Sequence, residues 1–362
     1  MKLVLDAGIF KENLKRSFGI VNDKNIQNQF QSFYFKIIGG FLYIAGSDGS
    51  ITFLSKMKPN KIDDRVDDIS FVISASTLFN LVRDTSNTIE LDIGEGNCAV
   101  RTEYGVTTLK LISEDYFEIN FTSFDITEVD DVFDAQELSY YLSSLSPIMA
   151  STAIDSSFLS IFADGKKFYA TDGNIVSYIF HPTNKRYVFK AKDTQCLIDV
   201  IGTSEGKVTF KYVDEGTSVL VKIGNAVFTF RCYEEEDMLD ISQAVENSNF
   251  SIACLFDKKD FLKKVQYSLL TSTGNIDLTL TKNEAVIYCE NEEGEESTYA
   301  TKLLKTGGVD GKIKFSVLAS NLIKLVKICR EDKIIVNLNL ESNRLRLTDL
   351  AKKTLSVMSI NN

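Results

Sequence analysis

One unit, a strand followed by a short helix and further strands, recurs six times along the 362 residues. That repetition limits the possible folds more than any single motif does. Candidate helices begin near Gly8, Ser76, Asp134, Lys192, Lys258 and Leu318, at intervals of 58 to 68 residues. Each carries one apolar stripe at helical spacing: Phe10, Leu14 and Phe18 in the first, Leu138, Tyr141, Leu142 and Leu145 in the third, Leu322, Leu325, Val326 and Cys329 in the sixth. Helices this short, with one apolar face, need a sheet to lie on. The stretches between them alternate as strands do, in Val208, Phe210 and Tyr212, in Ile276, Leu278 and Leu280, and in Val336, Leu338 and Leu340. Turn signals separate them at Gly94-Glu95-Gly96-Asn97, Asp214-Glu215-Gly216, Gly224-Asn225 and Glu341-Ser342-Asn343.

Some units also match in residue identity. Phe41-Leu42-Tyr43-Ile44-Ala45-Gly46-Ser47-Asp48-Gly49-Ser50-Ile51 parallels Phe168-Tyr169-Ala170-Thr171-Asp172-Gly173-Asn174-Ile175, each ending a strand in an Asp-Gly turn. Units one and three therefore correspond, as do two and four. The expectation is an α+β chain of three tandem domains, near 1–127, 128–247 and 248–362, each a pair of β-α-β-β-type repeats.

Several function classes have no support in the residues. The sequence contains no P-loop, no GxGxxG at a strand–helix junction, no HExxH and no nucleophile elbow, so no enzyme activity and no cofactor is expected. Asp48 and Asp172, the acids best placed to imitate catalytic groups, are accounted for by their turns. The six cysteines (Cys98, Cys196, Cys232, Cys254, Cys289 and Cys329) lie far apart and read as small buried apolar residues in a reducing compartment. The single histidine, His181, precedes Pro182 and reads as a surface loop residue; no metal site is expected. With no long apolar run and no signal-peptide layout, the expected location is the cytoplasm, with no membrane contact.

The net charge is −10, which by itself opposes nucleic-acid binding. Its distribution is uneven. The helix segments 8–18, 258–270 and 318–330 carry +2, +3 and +3, while 134–150 carries −2 and 192–201 carries −1. The acidic residues concentrate in loops such as Glu234-Glu235-Glu236-Asp237 and the stretch from Glu290 to Glu296. If the helices line one surface, Lys11, Lys15, Arg16, Arg83, Lys259, Lys263, Lys324, Lys327 and Arg330 would face phosphate there while the remainder repels it. The middle pair of helices is acidic and does not contribute.

Three tandem domains of paired strand–helix–strand units resemble the bacterial β sliding clamp of DNA replication. Local matches are Ala170-Thr171-Asp172-Gly173, the segment Leu111-Ile112-Ser113-Glu114-Asp115-Tyr116-Phe117, and the apolar C-terminal strand Leu355-Ser356-Val357-Met358-Ser359-Ile360. The resemblance implies a homodimeric, six-domain ring with helices inside and sheets outside, threaded by double-stranded DNA without sequence readout. It implies DNA polymerase and a clamp loader as partners. It places a partner-peptide pocket at Thr171, Gly173, Ile175, Val176, Leu239, Val357, Met358 and Ile360, with Ile241 as an alternative to Leu239. It places the dimer contact at Val106, Thr107 and Thr108 on one side and Leu269 and Leu270 on the other. The chain departs from the family pattern at Phe117, Asn174, Ser359 and Asn361-Asn362, a divergence that suggests a phage or mobile-element clamp and a different partner motif. The alternative is a repeat-built phage interaction or structural protein that never encircles DNA.

Overall fold

The computed structural model describes residues 1–21, 27–62, 68–113, 128–153, 155–202, 204–213, 216–231, 238–241, 245, 249–271 and 274–361. All six expected helices are present: α1 (Ala7–Phe18), α2 (Ala75–Val82), α3 (Ala135–Leu145), α4 (Ala191–Ile201), α5 (Lys258–Ser268) and α6 (Ala319–Ile328). Each starts within one residue of its expected position. A feature of the odd-numbered helices escaped the sequence reading. The preceding strand ends in an aspartate that caps the helix. Asp6 accepts from Ile9 N at 2.9 Å, Asp134 from Gln136 N at 3.0 Å, and Asp257 from Asp260 N at 2.8 Å. Each aspartate satisfies an amide that the first turn leaves without an intrahelical partner.

The chain divides into two compact units, 1–139 with 195–233, and 140–194 with 234–362. The halves of the expected middle domain therefore fall in different units. In the first unit an eight-stranded antiparallel sheet runs in the order Asp131–Asp134, Lys207–Val213, Ser218–Ile223, Ala226–Arg231, Ile51–Met57, Phe41–Ser47, Ser32–Ile38 and Ile69–Ser74. It passes without a break across the expected boundary near residue 127, through the pair Phe228↔Phe53. A five-stranded sheet, Lys61–Ile62, Lys2–Asp6, Thr88–Ile93, Asn97–Thr102 and Gly105–Lys110, completes the unit. Phe10, Phe35 and Phe71 pack the core beneath α1. The helix approaches the sheet closely at Gly46: a Cβ there would lie 2.3 Å from Ser17 Oγ and 2.7 Å from a Val21 methyl, so no larger residue fits.

The second unit repeats the plan. A nine-stranded sheet runs Tyr187–Lys190, Ser160–Ala163, Lys167–Thr171, Ile175–Phe180, Thr354–Ser359, Arg344–Asp349, Lys333–Asn339, Ile252–Asp257 and Lys305–Gly307. It crosses the expected boundary near 247 through Ile175–Phe180 against Thr354–Ser359. A four-stranded sheet follows the order Glu296–Lys302, Glu284–Glu290, Asn275–Leu280, Ile313–Leu318. No helix among the described residues is long and apolar enough to cross a membrane.

Candidate functional site

The Asp-Gly turn singled out in the sequence is a compact hydrogen-bonded corner. Thr171, almost fully buried, donates from Oγ1 to Ile175 O at 2.7 Å and accepts from Gly173 N at 3.0 Å. Asp172 Oδ1 accepts from Asn174 N and Ile175 N, each at 2.9 Å. That use of the carboxylate is structural. Gly173 sits at φ +90°, a conformation that favours glycine. The ring of Phe158 lies 3.7 Å from where a Cβ of Gly173 would stand. Phe158 was missed in the sequence, because nothing in its spacing links it to a turn fifteen residues on. Asp48 and Gly49 build the same corner in the first unit, with Phe30 in the place of Phe158.

Beyond the turn, Ile175 pairs with Met358 and Val176 with Val357. Ser177 Oγ donates to Ser356 Oγ at 2.8 Å, fully buried. Tyr169 Oη donates to Leu239 O at 2.9 Å, which fastens the Leu239 segment beside the turn. Ile360 is buried, and its N–H bonds Asn343 O at 2.9 Å. The eight expected groove residues thus belong to one region of the second unit, but not to one surface. Side chains alternate along a strand. Thr354 Oγ1 donates to Cys329 Sγ beside α6, so Thr354, Ser356 and Met358 occupy the helix-bearing face together with Ile175. Val176 and Val357 occupy the opposite face, opposite Arg346, whose guanidinium stacks on Phe250 at 4.2 Å. Burial holds the Arg346 side chain below the usual guanidinium range. Ile175, Met358 and Ile360 remain on one face beside the Gly173 turn, while Thr171, the cross-strand partner of Val176, belongs to the other.

The edge strands of the described sheets include Gly105–Lys110 in the five-stranded sheet and Glu296–Lys302 in the four-stranded one. Val106 is 54% exposed, and Thr107 and Thr108 are exposed beside it. Tyr104, 73% exposed, donates to Asp84 O just past α2. On the second edge, Tyr267 at the end of α5 lies near Tyr299 of the edge strand, and Leu269 and Leu270 follow it, Leu270 being 79% exposed. Tyr104 and Tyr267 were not among the expected contact residues; an aromatic that stays exposed cannot be told from a core one by pattern alone.

Among solved structures the chain is similar over its full length to bacterial sliding clamps. The Pseudomonas aeruginosa DnaN sliding clamp bound to griselimycin matches at TM-score 0.87 and 14% identity, covering 100% of this chain and 99% of that one. The Streptococcus pyogenes polymerase β subunit matches at TM-score 0.86 and 14% identity, covering 99% of both. The Helicobacter pylori β clamp bound to a DNA ligase peptide matches at TM-score 0.83 and 14% identity, covering both chains completely. The chain has the fold of a bacterial β sliding clamp. No family model and no curated protein sequence matches it.

On the helices of this clamp fold, the nine expected phosphate-facing residues divide. Lys11 Nζ is tied to the C-terminal end of α2, at 2.5 Å from Thr85 O and 3.3 Å from Arg83 O. Arg16 is mostly buried, paired with Glu12 at 2.5 Å and within 3.3 Å of Ser204 Oγ. Arg330 lies over the ring of Tyr140 at 3.9 Å. Lys15, Arg83, Lys259, Lys263 and Lys327 are exposed, with Arg83 and Lys259 in surface pairs with Asp84 and Asp332; Lys324 is half-buried. Lys258 repeats the role of Lys11, donating to Cys329 O at the end of α6.

The remaining marked residues have plain roles. Five cysteines are free and buried, and burial pushes the thiols of Cys98, Cys254 and Cys329 up to about 11. His181 is half-buried rather than a free surface residue, with Nδ1 3.0 Å from Tyr141 Oη. Cys232, Asp214, Glu215, the acidic run from Glu234 to Asp237, and the segment from Glu114 to Phe117 lie outside the described residues. Among the described residues, no cluster of His, Cys, Asp or Glu is placed to hold a metal ion.

Proposed function

We propose that this chain is a DNA sliding clamp: a non-enzymatic processivity factor that closes head-to-tail into a dimeric, six-domain ring around duplex DNA and tethers a DNA polymerase and a clamp loader. The observation that carries the reading is the full-length clamp fold together with the edge strands Gly105–Lys110 and Glu296–Lys302. An open edge invites pairing with another chain. Gly105–Lys110 of one copy against Glu296–Lys302 of a second would continue the sheets, with Val106 and Tyr104 meeting Tyr267, Leu269 and Leu270. The three-domain division near 127 and 247 belongs to this reading. A closed ring holds DNA by topology and needs little affinity, which suits a chain of net charge −10.

The Thr171–Ile175 turn with Met358 and Ile360 is the place for a partner segment, held by apolar anchors in a groove. One of the similar structures, the Helicobacter pylori clamp, carries a DNA ligase peptide. The deciding experiment is gel filtration on nicked circular DNA before and after linearisation, with a cognate loader or at high protein concentration. Retention on circles that is lost on linearisation establishes topological linkage. Equal retention on both forms, or none on either, overturns the clamp reading.

A further inference from the structure

The two places where one sheet passes between repeats offer an internal comparison. In the first unit, Ile51–Met57 pairs with Ala226–Arg231 and brings α1 beside α4; in the second, Ile175–Phe180 pairs with Thr354–Ser359 and brings α3 beside α6. The capping aspartates Asp6 and Asp134 set α1 and α3 in register. In that register Phe10 matches Leu138 and Leu14 matches Leu142, all buried. Likewise α4 and α6 align from their first alanines, with Leu197 on Leu325 and Val200 on Ile328, again all buried.

At the α3–α6 junction a ring and a guanidinium lie between the helices. Tyr140 lies under the Arg330 guanidinium at 3.9 Å and its hydroxyl donates to Ile328 O. Burial pushes that phenol up to about 12, so it is neutral at physiological pH. In the α1–α4 junction Glu12 stands in the register of Tyr140 and Gly202 in that of Arg330. Ring and guanidinium are both missing, and a cavity of about 820 Å³ opens there, walled by Phe18, Phe79, Ile198 and Val200. Phe18 and Phe79 stack at 4.6 Å, an apolar aromatic wall. That volume falls in the range of small-molecule pockets.

Among the described residues Arg16 Nε, a buried donor in the cavity lining, finds no hydrogen-bond partner, although the same guanidinium binds Glu12 and Ser204. A buried donor left unsatisfied costs free energy that an acceptor on a ligand recovers. The charges lining the cavity balance, Lys15 and Arg16 against Glu12 and Asp199, which disfavours a charged occupant.

We propose that this cavity is a binding site for a small, neutral, phenol-like molecule, whose ring takes the place that Tyr140 fills at the other junction and whose oxygen accepts from Arg16 Nε.

The test is isothermal titration of the full-length chain, without DNA, using p-cresol, toluene and 4-hydroxybenzoate as probes. The expected result is saturable binding of p-cresol at one site per chain, with toluene (no acceptor) and 4-hydroxybenzoate (charged) each about tenfold weaker or more. Glu12→Tyr, which restores the missing ring, abolishes p-cresol binding, whereas Lys327→Ala on α6 leaves it unchanged. Circular dichroism on Glu12→Tyr separates occlusion from misfolding, and if that variant does not fold, Arg16→Gln weakens binding of p-cresol but not of toluene. No binding of p-cresol, equal binding of toluene, or undiminished binding to folded Glu12→Tyr overturns the proposal.

Discussion

Phe53 and Phe228 face each other directly across an antiparallel pair, with ring centroids 5.0 Å apart, in strands drawn from the first and fourth sequence repeats. Both are fully buried, so the contact joins the two repeats through core rather than through a surface patch. Truncating a buried phenylalanine loses its transfer free energy and leaves a cavity. Phe228→Ala is expected to cost about 3–5 kcal/mol, read as a lower midpoint in urea unfolding. If the first unit unfolds cooperatively, fluorescence and circular dichroism shift together. A cost below about 1 kcal/mol would mean that the junction is not part of the core.

The edge strand Gly105–Lys110 makes a second expectation. Proline cannot donate to a ladder and is tolerated on an edge only where nothing needs its N–H. Leu111 N donates inward to Gly96 O, so by alternation Val106 and Thr108 turn their N–H groups to the open side, and Thr108→Pro and Val106→Asp leave the chain's own pairing to Asn97–Thr102 less disturbed than any new pairing there. Under the clamp reading at least one of them converts a dimer to a monomer in analytical ultracentrifugation, and Leu270→Asp does so from the opposite edge. A wild-type chain that sediments as a monomer at micromolar concentration removes the basis of this prediction.

Gly173 and Met358 separate the turn from the strand in the candidate groove. Gly173→Val places a β-branched residue at φ +90° against the Phe158 ring and is expected to destabilise by about 1–3 kcal/mol while closing the groove. Met358→Ala empties an apolar position instead, with a stability cost of about 2–5 kcal/mol. Both are expected to weaken a fluorescent partner peptide at least about tenfold in anisotropy titrations. Val176→Ala, on the opposite face of the sheet, leaves that titration unchanged.

How far these features could be read from sequence depends on the distance over which they act. The six helices were legible because Phe10 and Leu14, or Leu322 and Leu325, repeat at the period of a single element. The Asp172-Gly173 turn was legible because the hydrogen bonds that form it span no more than four residues. What the sequence withheld is longer in range. Nothing local says that Ala226–Arg231 will pair with Ile51–Met57 and carry one sheet across the expected boundary near residue 127. The groove assignment put Val176 and Val357 beside Ile175 and Met358, although strand alternation sends them to the other face. Lys11 counted as phosphate-facing by charge alone, yet it caps the carbonyl end of a helix about 70 residues away, as Lys258 does in the second unit.

Asp193 lies in the first turn of α4, almost wholly buried, and its carboxylate accepts from Lys190 N at 3.3 Å. Burial outweighs that bond and nearby Lys190 and Lys192, and pushes its pKa up to about 6 from an ordinary 3.8. A carboxyl with a raised folded-state pKa holds its proton longer in the native state than in the unfolded one. Its contribution therefore favours folding below about pH 4 and is lost as pH rises to about 6. Each pKa unit is worth about 1.4 kcal/mol, so the loss is on the order of 1–3 kcal/mol. Asn keeps an acceptor for the Lys190 amide without the charge. Asp193→Asn is accordingly expected to be more stable than wild type at pH 7–8, with a smaller decline in stability between pH 4 and 6, measured by urea unfolding across that range. Equal stability at pH 7.5 and an unchanged slope would show that the carboxylate is solvated in the folded chain.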